Sequence, residues 1–204
     1  MTQGNILIAS KKLKDSFFEN SVVLTISSKS EPELPSGGVF GVIINTSESP
    51  YLTPKCIKSI MDAFKKLGVN EPEIHKDKIR LGGPVSGPIV CLHNIPYLGK
   101  EIAPNIYWTI DITEITQIVV IPNAEFRLYL GISSWDDQQL ENEIQSGAWH
   151  TLSFNETFAG NICDETLIFN QDHKSEIWEK AIKIFSNNFY AQIGVKILGD
   201  YRLN

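Results

Sequence analysis

Short β-branched runs interleave with amphipathic helical patterns along this chain, and that interleaving constrains the fold more than any other feature. GNILIA (4–9), VVLTIS (22–27) and GVFGVIIN (38–45) are brief, apolar and rich in Val and Ile, so they read as buried strands. Between the last two lies SKSEPELPSGG (28–38), whose prolines and glycines read as an exposed loop. The order of the two strands is compatible with hairpin pairing, against which the length of the loop counts. Asp15-Ser16 is placed to cap a single helical turn carrying Phe17 and Phe18. Thr53-Pro54 then opens a helix as cap and first residue; Ile57, Ile60, Met61, Phe64 and Leu67 follow at helical spacing, and Gly68 closes it.

The later chain repeats the mixture. Residues 78–94 read as strand, glycine-rich turn and strand, and 105–110 as a further strand. Residues 113–121 carry two signals: Ile115, Ile118 and Val119 keep helical spacing, while the β-branched content favours a strand. EFRLYLGIS (125–133) and HTLSF (150–154) read as strands. A second strong helix is expected over 172–188, with Ile177, Trp178, Ala181, Ile182 and Phe185 on its apolar face and Asp172 or Ser175 as its cap. No repeat, low-complexity tract or long linker divides the chain. A single α/β or α+β domain over residues 1–204 is therefore expected.

Charge and cysteine usage narrow the function classes. The chain has a net charge of −6, with Lys and Arg scattered singly or in pairs such as Lys11-Lys12 and Lys65-Lys66. Such a chain is poorly suited to phosphate backbones, and those pairs read as solvated positions. Cys56, Cys91 and Cys163 lie far apart with no Cys-x-x-Cys spacing, which disfavours a disulfide framework or a structural zinc site. Cys91 sits in an apolar run and reads as a buried thiol. The run at residues 6–9 is too short for a signal-peptide core, and no 18-residue apolar segment suits a membrane span. The expected compartment is the cytoplasm.

The densest polar stretch is WDDQQLENEIQSGAWH (135–150). Asp136 or Asp137 caps a short helix whose Leu140 and Ile144 face one way, and Gly147 terminates it. At about 100° per residue, Glu143 lies about 60° from Leu140 and Glu141 about 100° on the other side, so both border the apolar stripe. Paired carboxylates can do acid–base work when their surroundings separate their pKa values, but two acids flanking a helical stripe are more often solvated or bonded to neighbouring backbone. Trp135 and Trp149 read as seals of the helix ends against a sheet, with surface anchors for a partner as the alternative.

GGPVSG (82–87) is the other candidate. Successive backbone N–H groups in a glycine-rich turn can cradle an anion, although the segment matches neither a P-loop nor a dinucleotide fingerprint, and Ser86 is not in a nucleophile elbow. Asn45 is placed either to cap a turn or to face this one. The four histidines, at 75, 93, 150 and 173, lack metal-ligand spacing.

Several segments, in order, resemble the YqgE/AlgH family of bacterial proteins. GNILIAS with KDSFFENSVVLT (4–25), FGVIIN (40–45), LGGPV (81–85), YLGISSWDDQQLENEIQSGAWHTL (129–152) and FNQDHKSEIWEKAI (169–182) are similar to its successive blocks, over roughly residues 4–190. The chain departs from the pattern at Ser134 and Gln138, where the family commonly has Gly, and at Thr46-Ser47, where it tends to carry Arg-Pro. An anion-binding role for that arginine is thus not implied here. The resemblance implies a compact α/β fold with a bent, mixed, partly closed and barrel-like sheet flanked by helices. It implies no established reaction. One branch is associated with exopolysaccharide regulation and described as a candidate transcriptional regulator, yet no DNA-reading element is evident in this chain.

These readings give one expectation. The protein is a non-enzymatic binding or regulatory module, with no catalytic set, metal or cofactor, and its partner is an unknown protein or a small anionic ligand. The candidate binding surface comprises Asn45, Gly82, Gly83, Pro84, Ser86, Trp135, Gln139, Glu143 and Trp149. The alternative is a hydrolase-like enzyme that binds a small molecule or anion at the Gly82–Gly87 turn.

Overall fold

A computed structural model describes residues 4–27, 38–46, 53–69, 76–153, 168–169 and 174–192. The loop expected over 28–38, the cap expected at Asp172 or Ser175, and His75, Cys163 and His173 lie wholly or largely outside these residues. In chain order the strands are β1 (Ile6–Ala9), β2 (Val22–Ser27), β3 (Val39–Ile43), β4 (Ile79–Leu81), β5 (Val90–His93), β6 (Lys100–Ala103), β7 (Ile106–Thr109), β8 (Phe126–Leu130), β9 (Ser133–Trp135) and β10 (Trp149–Leu152). The α-helices are α1 (Pro54–Lys66), α2 (Ile112–Val120), α3 (Asp137–Gln145) and α4 (Lys174–Gln192).

The strands form two five-stranded sheets, ordered β10-β1-β2-β3-β9 and β4-β8-β5-β7-β6. All pairings are antiparallel except β4 with β8. Neither sheet closes, which corrects the expectation of one partly closed, barrel-like sheet. The physical reason is a corner. EFRLYLGIS was expected as one strand, but it breaks at Gly131, whose φ of +70° turns the chain out of one sheet into the other. The sheets then touch through an isolated bridge between Val85 and Ile132 and through the Ile43 N–H donating to the Gly82 carbonyl at 2.9 Å. These are local links, not a continuous ladder.

Period-two alternation sorts the apolar residues into layers. Ile6, Ile8, Leu24 and Val42 share a core with Val90, Leu92, Trp108 and Tyr129 of the second sheet and with Ile177 and Ala181 of α4. Leu7, Ala9, Val23 and Ile43 face the opposite way, toward α3. On the outer face of the second sheet, Ile79, Cys91, Phe126 and Leu128 pack under α1 and α2. Sheets covered on both faces need apolar strands throughout, which is why these runs show little alternation in the sequence.

Local signals explain most elements. Thr53 accepts from the Cys56 N–H at 3.2 Å and Gly68 follows α1 at a φ of +84°, as the sequence implies. Residues 113–120 are helical, against the strand preference of their β-branched residues, and Ile121 ends the helix. Asp111 caps α2 by accepting from the Thr113 N–H at 2.7 Å, and Ile115, Ile118 and Val119 are buried along one face. Burial outweighs propensity here. The helical turn expected at Phe17-Phe18 is instead a 3-10 helix at Lys11–Leu13 followed by turns. Strand β6 carried no sequence signal, because its exposed Lys100 and Glu101 belong to a sheet edge. No helix among the described residues is long and apolar enough to cross a membrane.

Candidate functional site

The Trp135–Trp149 stretch folds into a closed hydrogen-bond unit. Asp136 caps α3 by accepting from the Gln139 N–H at 2.6 Å, and Gly147 ends the helical segment at a φ of +74°. Helix α3 therefore lies between β9 and β10, and Glu143 faces both flanking tryptophans. Its Oε2 accepts from Trp135 Nε1 at 3.0 Å and from Trp149 Nε1 at 2.7 Å. Its Oε1 accepts from Gln139 Nε2 at 2.8 Å, an i,i+4 contact. The indoles meet edge to face at 5.7 Å, and Phe18 stacks on Trp135 at 5.6 Å. Trp135 and Trp149 are only 3% and 2% exposed. They are interior seals, not surface anchors. The caps were readable in the sequence, but a carboxylate shared by two indoles was not, because the strands at both helix ends create it.

Asn45 and the GGPVSG turn lie at the other end of β3. Asn45 is buried. Its Oδ1 accepts from the Val22 N–H at 2.8 Å and its Nδ2 donates to the Asn20 carbonyl at 2.9 Å, which pins the entry to β2. In the turn, the Gly82 N–H donates to the Leu130 carbonyl at 2.8 Å, and the Val85 N–H to the Ile132 carbonyl at 3.0 Å. The Gly82 carbonyl also accepts from Ser133 Oγ at 3.1 Å. A Cβ on Gly82 would strike the Gly131 carbonyl, and one on Gly83 the Ile132 carbonyl. These glycines permit the close approach of two sheets, and the Gly82 and Val85 N–H groups are directed into that junction rather than toward an anion. Pro84 and Ser86 are exposed at the tip. The candidate residues thus divide between two ends of β3, with Trp135 beside Val39 and Gly82 bonded to Ile43.

The titratable groups named from sequence are dispersed. Burial pushes the Cys91 thiol far up, so it is protonated. His93 is buried and its Nδ1 accepts from the Ile95 N–H at 3.2 Å; burial lowers its pKa to about 4, and the carboxylate of Glu114 opposes part of that shift. Glu114 itself accepts from Thr109 Oγ1. Among the described residues, no three His, Cys, Asp or Glu side chains are grouped to hold a metal ion.

A cleft of about 380 Å³ opens elsewhere, between the 3-10 helix, the end of α3, β10 and α4. Trp178 and Ile182 of α4 and His150 of β10 line it, with Lys11 and Lys12 beside them. Its walls are fixed by hydrogen bonds. Trp178 Nε1 donates to the Ala9 carbonyl at 2.7 Å, Ser10 Oγ donates to the Gly147 carbonyl at 2.7 Å, and Lys12 Nζ donates to the Ser146 carbonyl. His150 stacks on Phe185 at 4.3 Å, and burial lowers its pKa, which favours the neutral ring. Lys11 and Lys12 are exposed, as the sequence implies, but their place near Trp178 has no local signal, because 169 positions separate Trp178 from its acceptor Ala9.

Known proteins resemble this chain in sequence and in fold. A family model described as AlgH-like matches residues 6–189. The UPF0301 protein of Chlorobium chlorochromatii is 30% identical over 158 residues, 74% of each chain. The UPF0301 protein of Cytophaga hutchinsonii is 24% identical over 212 aligned positions, covering 100% of this chain and 97% of its own. Among solved structures, the solution structure of the AlgH protein from Pseudomonas aeruginosa superposes with a TM-score of 0.57 at 18% identity, covering 98% of this chain and 100% of that one. A crystal structure of a protein from Corynebacterium diphtheriae gives a TM-score of 0.56 at 18% identity, covering 90% and 86%. At these identities the structures establish the shared fold alone.

Proposed function

The chain belongs to the AlgH-like family, and from that premise we propose that it is a binding or regulatory protein, not an enzyme, whose ligand is a small anion with an apolar body. The observation that carries this reading is the cleft. Trp178, Ile182 and the neutral ring of His150 offer an apolar floor, and Lys11 and Lys12 offer positive charge beside it. A mostly apolar recess with a few placed polar groups is the usual form of a small-molecule site. The distinctive acids, amides and glycines support the same reading, since their hydrogen bonds are spent on holding the body together. Any control of transcription would then run through a bound ligand or protein partner, because a net charge of −6 disfavours direct docking on DNA. In the cytoplasm the free Cys56 and Cys91 would stay reduced.

Titration with 8-anilinonaphthalene-1-sulfonate, a ring system bearing one anion, tests the proposal. Saturable binding is expected, with quenching of tryptophan fluorescence through Trp178. Lys11→Glu is expected to weaken it about tenfold, equivalent to about 1.4 kcal/mol. Unsaturable binding, or equal affinity in the variant, would defeat the reading.

A further inference from the structure

A second group of donors lies inside the molecule, away from the cleft. The parallel register sets Arg80 of β4 beside Tyr129 of β8, and Arg127 precedes Tyr129 by two residues. Strand periodicity puts all three side chains on one face. That is the face turned to the first sheet, because Tyr129 belongs to the core shared between the sheets while Leu128 and Ile79 point outward. Arg127 is 2% exposed. Its guanidinium donates from Nη1 to the Phe126 carbonyl at 3.0 Å and from Nη2 to the Phe169 carbonyl. Arg80 donates to its own strand at the Ile79 carbonyl, at 3.1 Å. Among the described residues neither arginine forms an ion pair; Asp77 and Glu125 are the acids whose charge favours the Arg127 guanidinium, and Glu125 pairs with Lys78 at 3.5 Å. The Tyr129 hydroxyl is fully buried and has no hydrogen-bond partner among the described residues. Burial raises its pKa, so it remains an O–H donor. One row further along the sheet, Leu92 is flanked by Arg127 and Trp108, and the buried Trp108 Nε1 also lacks a partner among the described residues.

Among the described residues the guanidinium groups meet only neutral carbonyl acceptors, and the Tyr129 hydroxyl meets none. A buried guanidinium beside a second cation is costly unless an anion balances it, and each orphan donor adds to that cost. Guanidinium and hydroxyl groups together complement the oxygens of a carboxylate or a phosphate. Entry is available from the side, since β4 is an edge strand and Arg80 on it is half-buried. We propose that Arg80, Arg127 and the Tyr129 hydroxyl form an oxyanion-binding site between the sheets, taking the phosphate or carboxylate group of a small ligand. It is separate from the Lys11–Trp178 cleft and does not depend on the reading given to that cleft.

Thermal unfolding of the intact chain, followed by intrinsic fluorescence, tests the site with sodium phosphate, sodium acetate and sodium chloride at matched ionic strength. A saturable rise in Tm with phosphate or acetate, beyond that with chloride, is expected, and the more effective anion identifies the group. Tyr129→Phe removes only the orphan hydroxyl. It should fold at least as well as the parent without added oxyanion, yet bind the anion about tenfold more weakly. Arg80→Gln, at a half-buried position, should weaken it at least as much. The site is refuted if chloride matches the oxyanions. It is equally refuted if both variants respond as the parent does, or if Lys11→Glu alone removes the response.

Discussion

At the scale of single residues, Glu143 shows how one carboxylate can tie together three other side chains. Both of its oxygens are filled, one by two indole N–H groups and the other by Gln139. Removing the carboxylate strands two buried donors, each worth about 1–3 kcal/mol. Glu143→Ala is therefore expected to lower stability by about 2–4 kcal/mol in urea denaturation followed by tryptophan fluorescence. Glu143→Gln retains an oxygen for the indoles and lets Gln139 turn its amide, so it should cost about 1 kcal/mol or less. Equal losses in the two variants would show that shape, not the shared acceptor, holds the unit. The sequence displayed the helix cap at Asp136 and the stop at Gly147, because both act within a few residues. It could not display the convergence on Glu143, which exists only once β9 and β10 flank α3.

Among elements, the same divide between local and distant causes separates what was legible from what was not. Strands β1, β2 and β3 and helix α1 follow from apolar runs and caps in their own segments. Helix α2 does not, because its β-branched residues favour a strand until burial of Ile115, Ile118 and Val119 decides the matter. The break between β8 and β9 is likewise invisible as hydrophobicity and visible only as a glycine. There the fold is sensitive to added volume. A side chain at Gly83 would overlap the Ile132 backbone, which has no flexible end to move aside, whereas one at Gly87 would meet only the Ile132 side chain at 3.2 Å. Gly83→Ala is expected to cost about 3 kcal/mol or more, seen as a Tm drop of about 6–12 °C, while Gly87→Ala should change Tm by no more than a few degrees. Similar Tm values for the two would mean that the sheet junction tolerates displacement.

For the whole molecule, the sequence implied a mixed α/β body but not that its strands divide into two open sheets, because that division rests on pairings between distant segments such as β1 with β10 and β4 with β8. Layers covered on both faces leave few titratable groups inside, and those few govern how global stability depends on acid. His93 is held neutral by burial, with a folded pKa of about 4 against 6.5 for an ordinary histidine. Above pH 6.5 neither the folded nor the unfolded chain protonates this ring, so it contributes no pH dependence. As pH falls from 6.5 toward 4, the unfolded chain takes up a proton that the folded one refuses, and stability declines; below 4 both are protonated and the loss is complete. The size of the shift corresponds to about 3 kcal/mol across that window. His150 is shifted in the same direction and adds to the trend. Urea midpoints measured from pH 7.5 to 4.5 should fall steadily below pH 6.5, and His93→Gln should flatten the slope, with NMR titration of the His93 ring giving a midpoint near 4. A ring that titrates near 6.5 would show that the interior of the second sheet admits the imidazolium, and the acid sensitivity of the fold would then have to arise elsewhere.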